Sequence, residues 1–256
     1  MTNGPVPPAY PPGRGLLAGK AVLVTAAAGT GIGFATAKRC VEEGARVAIT
    51  DIHERRLRES AAEIGAHAVL ADVTAQDDVD RCFSEVIDEF GQLDVLVNNA
   101  GLGGTARLSE MTDDQWFAVL DVTLTGTMRM TRAALEHMLP RGAGVIVNNA
   151  SVVGWRAQEG QAHYAAAKAG VMALTRCAAI EAGGAGVRVN AVAPSLAMHP
   201  HLAKVTTDEL LAELTTREAF GRAAEPWEVA NVIVFLASDL SSYMTGEILS
   251  VSSQHP

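Results

Sequence analysis

Tyr164-Ala-Ala-Ala-Lys168 places a phenol and an amine four residues apart in a helical stretch. On a helix, residues i and i+4 share one face. An ammonium beside a phenol favours the phenolate and lowers a pKa that is ordinarily about 10. Such a phenol can exchange a proton with an alcohol or carbonyl oxygen. Taken alone, this pair is common and also fits a solvated helix face. A second set lies near the N-terminus, where an apolar run leads into Thr25-Ala-Ala-Ala-Gly-Thr-Gly-Ile-Gly33. Gly29, Gly31 and Gly33 at a strand-to-helix turn let the backbone approach a pyrophosphate, which sits on the free N–H groups of the helix start. Gly29, Thr30, Gly31, Ile32 and Gly33 are therefore candidate cofactor contacts. Asp51, followed by Ile52, ends the next strand eighteen residues after Gly33. An acid there accepts hydrogen bonds from both adenosine ribose hydroxyls and repels a 2′-phosphate. The bland alternative is a tight turn followed by an ordinary strand-end acid.

These residues need a frame to hold them. Short, continuously apolar runs at 21–25, 46–51, 67–71, 94–98, 144–148, 187–193 and 248–251 read as strands covered on both faces. Helical patterns lie between them near 31–44, 54–64, 76–90, 112–139, 161–183 and 226–237. Strand–helix alternation with short turns predicts a doubly wound, parallel α/β sheet with helices on both faces. Its strand C-terminal ends share one edge, where ligands bind. The start, with five prolines in its first twelve residues, predicts a disordered tail over 1–15. A single domain then spans 16–256. The interval 198–222 is too long for a simple connection and predicts a lid-like insertion.

Composition narrows the function. Of 256 residues, 48% are apolar, enough for a full core, and the net charge of −9 repels a phosphate backbone. Nucleic acid is thus not an expected partner. Cys40, Cys82 and Cys177 lie far apart with no metal-ligand spacing, so no metal site and no disulfide framework is expected. No run reaches membrane-spanning length and the start lacks a signal pattern, so the expected location is cytoplasmic, with no membrane partner.

The Tyr–Lys pair and glycine turn are not isolated. Ser151 follows the fifth strand, Asn98-Asn-Ala-Gly101 the fourth, and Asp72-Val73 the third. Asn190-Ala-Val-Ala-Pro194 covers the sixth, and Glu228 to Ser238 and Met244-Thr-Gly-Glu close the pattern. This ordered set resembles the single-domain short-chain dehydrogenase/reductase family over about Leu16 to Val251. The resemblance implies a seven-stranded Rossmann-like sheet, a nicotinamide cofactor and a homotetramer. It implies Tyr164 as acid–base residue. Lys168 would lower the Tyr164 pKa and bond the nicotinamide ribose, and Ser151 would orient the substrate oxygen. Asp51 would hold the adenosine ribose and Asp72-Val73 the adenine. Asn99, Ala100 and Gly101 would face the cofactor's ribose side, and Pro194 to Ala197 the nicotinamide amide.

Four departures from the family pattern stand out. Ala26 replaces the first glycine of the turn. Thr123, in Val122-Thr-Leu-Thr-Gly126, replaces an Asn that completes the catalytic set. Its hydroxyl implies a working but altered proton relay, or else merely satisfies helix backbone. His199 stands where a Thr often contacts the cofactor, and the C-terminus reads Val251-Ser-Ser-Gln-His-Pro256.

Asp51 favours NAD over NADP, with Arg55 and Arg56 on an exposed first helical turn. The expected substrate is a small molecule bounded by 102–108, 152–161 and 198–222. Trp155, Met198, Leu202, Leu210 and Leu214 would supply apolar surface, and Arg107, Arg156 and Lys204 could meet a carboxylate or CoA phosphate. The glycine turn and the 194–199 segment resemble an actinobacterial subgroup acting on acyl-CoA thioesters in lipid or sterol-ring breakdown. The leading expectation is an NAD-dependent dehydrogenase of a secondary alcohol on a large apolar substrate, such as a hydroxyacyl-CoA. The alternatives are an NADPH-dependent 3-oxoacyl-thioester reductase and a non-catalytic dinucleotide-binding scaffold.

Overall fold

A computed structural model describes residues 5–198 and 208–253. Ala21–Thr25 forms strand β1, buried along its whole length. Val22 and Val24 face one core with Ala37, Cys40, Ile49, Val229 and Ile233. Leu23 faces a second core with Val79, Phe83, Leu96, Met130 and Ile146. A strand with apolar layers on both sides has no polar face, hence the unbroken apolar run.

The chain continues through α1 (Ile32–Glu42), β2 (Arg46–Asp51), α2 (Glu54–Ile64), β3 (His67–Leu70), α3 (Gln76–Phe90) and β4 (Val95–Asn98). Helices α4 (Asp113–Leu120) and α5 (Gly126–Arg141) precede β5 (Gly144–Asn149). Then come α6 (Ala162–Gly183), β6 (Val187–Pro194), α7 (Asp208–Thr216), α8 (Pro226–Ala237) and β7 (Ile248–Val251). The seven strands run in the order β3-β2-β1-β4-β5-β6-β7. Every pairing is parallel. Strand order reverses between β1 and β4, which opens a crevice at the C-terminal edge. Thr25, Asp51, Asn98, Asn149 and Pro194 end their strands there.

The helical pattern at 112–139 predicts one helix, and the structure divides it. A π-helical turn at Asp121–Thr125 separates α4 from α5, closed by the Gly126 amide donating to the Asp121 carbonyl. The widened turn carries Thr123 inward, fully buried. Its Oγ1 accepts from the Leu102 amide at 3.0 Å and donates to the Leu102 carbonyl at 3.3 Å. The π turn differs from the α turn only in which carbonyl each amide reaches, which residue types alone do not specify.

The described part of the proline-rich start lacks regular secondary structure, and several of its residues contact the domain. Arg39 Nη1 donates to the Pro11 carbonyl at 2.8 Å and Nη2 to that of Pro12 at 3.2 Å. Tyr10 donates to Glu42 at 2.5 Å and packs edge-on against Trp227 at 5.5 Å. Arg222 Nε donates to the Pro5 carbonyl at 3.0 Å. Proline lacks an N–H but keeps its carbonyl, so arginines can anchor such a segment without a ladder. Within the 198–222 interval, α7 and residues 217–222 are described. His199, Leu202, Lys204 and the Leu210 side chain lie outside the described residues, as does Gln254-His255-Pro256.

Arg39 also meets the fully buried Glu43 at 2.6 Å. Glu43 accepts from the Arg14 and Leu16 amides at 2.8 and 3.0 Å. Replacing Arg39 with Leu strands that carboxylate and releases the docked segment. Urea unfolding at neutral pH should show a loss of about 3 kcal/mol; a loss under about 1 kcal/mol would rank the pair with exposed surface bridges.

Candidate functional site

The glycine turn carries strain at its first residue. Ala26 adopts φ +50° and Gly29 φ +117°. An L-residue in the left-handed region costs about 1–2 kcal/mol, so Ala26 must be held from outside. Asn99 does this, with Nδ2 donating to the Thr25 carbonyl at 3.1 Å and the Ala26 carbonyl at 3.0 Å. A Cβ at Gly33 would fall 2.4 Å from Asn99 Nδ2 and 2.5 Å from the Ala26 oxygen. Only glycine admits this approach of helix start to turn. Gly31 caps α1 without a side-chain bond, leaving the first amides of the helix for an anion.

Asp51 closes the other side of the turn. Its Oδ2 accepts from the Ala28 amide at 3.3 Å and its Oδ1 from the His53 amide at 3.0 Å. Burial pushes its carboxyl up, opposed by the Ala28 amide and the charge of Arg56. Arg55 pairs instead with Glu59, at 2.9 Å. Asp72 Oδ1 accepts from the Thr74 amide and hydroxyl, both at 2.8 Å, and Val73 is buried.

Ser151 follows β5, and its Oγ accepts from the Val153 amide at 3.3 Å. Ser151 also acts on the Tyr164 phenol, lowering its pKa. Lys168 is 3% exposed, and its Nζ donates to the Asn149 carbonyl at 2.5 Å. That nitrogen lies 5.6 Å from the Tyr164 ring centroid. A Cβ on Gly101 would come within 3.5 Å of Lys168 Nζ and 3.7 Å of Thr123 Oγ1. Ser151, Tyr164, Lys168, Thr123 and Gly101 thus gather at one place. Burial pushes the Lys168 amine down to about 8. It pushes the Tyr164 phenol up, with the Ser151 hydrogen bond acting the other way. The spacing predicts a phenol lowered by Lys168; in the folded chain, burial outweighs any such effect. The ammonium spends a hydrogen on a backbone carbonyl, which the sequence spacing does not reveal.

A residue that the sequence reading passed over joins the two halves of the site. Asn149 Nδ2 donates to Asn99 Oδ1 at 3.0 Å, while the Asn149 carbonyl receives Lys168. Two consecutive asparagines at the end of an apolar strand were the available signal. Ala197 pairs with Ala224 in an isolated parallel bridge, and the Met198 amide donates to the Ala224 carbonyl at 3.0 Å. This pins the segment after Pro194. On the outer rim, Trp155 is half exposed and Arg107 pairs with Glu159 at 3.2 Å. Among the described residues, no group of three His, Cys, Asp or Glu could hold a metal ion, and no helix is long and apolar enough to cross a membrane.

The uncapped helix start, the glycine-only approach at Gly33 and the strand-end acid fit a dinucleotide laid across the sheet edge. Comparison with known proteins agrees. A family model described as enoyl-(acyl carrier protein) reductase matches residues 26–253. A Mycobacterium tuberculosis protein is 62% identical over 95% of this chain and 96% of its own length. It is named (5R,7aS)-5-hydroxy-7a-methyl-1-oxo-2,3,5,6,7,7a-hexahydro-1H-indene-carboxyl-CoA reductase. The cis-4-hydroxycyclohexanecarboxylate dehydrogenase of Sinomonas cyclohexanicum is 43% identical over 90% of this chain and 94% of its own. A crystal structure of a short chain dehydrogenase from Mycobacterium smegmatis superposes with a TM-score of 0.86 at 56% identity, covering 97% of this chain and 98% of that one.

The lowered Lys168 amine has a consequence for binding. Below about 8 it is a cation with three donors; above, it loses charge and a donor. Affinity for a reduced nicotinamide dinucleotide, followed by fluorescence from pH 6.5 to 9.5, should weaken as pH rises through about 8. Lys168→Met should bind more weakly and lose that inflection; an unchanged inflection in the variant would assign it to another group.

Proposed function

This chain belongs to the short-chain dehydrogenase/reductase family of oxidoreductases, and on that premise we propose that it uses NAD to interconvert a secondary alcohol and a ketone on a large, ring-bearing acyl-CoA thioester. The observation that carries the reading is the meeting of Ser151, Tyr164 and Lys168 at the end of β5, on the same sheet edge as Asp51. The substrate class rests on the similarity to the two relatives that act on ring-borne carboxyl derivatives.

A nicotinamide cofactor, when bound, supplies the hydride acceptor or donor. The chain does the rest. The glycine turn and α1 N-terminus hold the pyrophosphate, and Asp51 takes the adenosine ribose hydroxyls. Lys168 and the Asn99–Gly101 turn hold the nicotinamide-side ribose, and Pro194 to Ala197 line the amide. Ser151 donates a hydrogen bond to the substrate oxygen, stabilising charge as it develops. Tyr164 accepts the alcohol proton in oxidation and returns it in reduction. Desolvation raises the phenol in the chain itself, so its reactive form depends on Ser151 and on a charged Lys168 beside it. Thr123 keeps the Gly101–Leu102 turn against Lys168. Burial of Lys168 and Ser151 strengthens the contacts these two make.

Replacing Tyr164 with Phe removes the proton carrier and leaves the cofactor cradle. Turnover of a ring-borne hydroxyacyl-CoA should fall by about 10²–10⁴-fold, while the NADH dissociation constant stays within about threefold. Full activity in that variant would move the acid–base role to another residue. Titration with NADH and NADPH should show NADH at least about tenfold tighter, and Asp51→Ala should narrow the gap. A preference for NADPH in the unaltered chain would instead favour a 3-oxoacyl-thioester reductase, the activity named for a Thermotoga maritima relative 39% identical to this chain. Binding of neither would leave the scaffold reading.

A further inference from the structure

We propose that His163 is a positioning residue that ties the start of the Tyr164 helix to the 101–106 loop, and so sets the substrate side of the site. The proposal rests on the functional reading above for its kinetic consequences, but not for its structural one.

His163 precedes Tyr164 and is 1% exposed. Its Nδ1 accepts a hydrogen bond from the Tyr164 amide at 2.9 Å. A ring nitrogen that accepts carries no hydrogen, so the ring N–H of His163 sits on Nε2. That edge of the ring abuts the loop. A Cβ on Gly104 would lie 3.1 Å from Nε2 and 3.7 Å from Cε1. The loop is anchored at its start by Thr123 on Leu102, and at its far end by the Ala106 amide on the Gly160 carbonyl at 2.9 Å. His163 supports its middle. Enclosed as it is, the imidazole cannot reach a substrate, so it acts through Tyr164 on one side and Gly104 on the other.

The two contacts use different parts of the ring and can be separated. In His163→Asn, the carboxamide oxygen can replace Nδ1 as acceptor, but the shorter side chain falls away from Gly104. In His163→Phe, the ring still fills the space to the loop but has no acceptor for the Tyr164 amide. We expect His163→Phe to lower kcat by about tenfold with KM within about twofold. His163→Asn should keep kcat within about twofold and raise KM by about fivefold. Gly104→Ala, at an exposed loop position, should raise KM on its own, and adding His163→Asn should cancel part of that rise by making room for the methyl. Hydrogen exchange at the Tyr164 amide, followed by NMR without substrate, should accelerate in His163→Phe and stay protected in His163→Asn. The exchange result reads the structural claim even if the substrate class is wrong. The proposal is overturned if the Tyr164 amide exchanges alike in all three proteins, or if both variants change kcat and KM in the same proportion.

Discussion

A single ammonium, held where water scarcely reaches, governs how the edge of this sheet is built. A buried cation needs a partner, and Lys168 finds one in the Asn149 carbonyl, at the end of β5 where the strand ladder stops. The Asn149 side chain then donates to Asn99, and Asn99 to the carbonyls of Thr25 and Ala26. Beyond the last backbone bonds of β5, β4 and β1, side-chain amides thus continue the pairing. The proton-handling residues and the dinucleotide turn share one hydrogen-bonded chain. Displacement at either end must be felt along it, because amide groups withdrawn from water cannot exchange partners at low cost.

The layer beneath is equally constrained. Asn98 and Asn148 face each other across the β4–β5 register and bond at 2.9 Å. Asn98 also reaches Thr131 on α5, and Asn148 reaches Thr175 on α6. Each polar side chain here has a partner on another element, which fixes α5 and α6 against the sheet in one register. That fixation is what a site needs if a phenol, an amine and a hydroxyl are to hold their spacing. The strained Ala26 belongs to the same economy. Its left-handed backbone persists because Asn99 and the close approach of Gly33 over-determine it.

Much of this was legible in the chain itself. The order of strands and helices, the apolar runs of β1, β2 and β4, and the shared face of Tyr164 and Lys168 follow from period and spacing, whereas the place of Ser151 beside them came from the family resemblance. The glycine turn was equally legible, since a tight strand-to-helix turn demands glycine wherever backbone meets backbone. The break in the 112–139 helix was not legible. A π turn is a choice of backbone hydrogen-bond partner, here the Gly126 amide on the Asp121 carbonyl, and side-chain types do not announce that choice. The contacts of the proline-rich start were not legible either: proline composition reports the lack of an internal ladder, and says nothing of an arginine elsewhere that donates to the carbonyls.

What the sequence by itself determined, then, is the parallel α/β fold, set by local periodicity, and the family, carried by an ordered set of motifs along one chain. What only the tertiary structure decided is how those residues are held and in what state. Asn149, His163 and Leu102 owe their place in the site to contacts made across long stretches of chain. The raised phenol of Tyr164 and the lowered amine of Lys168 come from burial, and burial is a property of the packed molecule that no spacing between residues encodes.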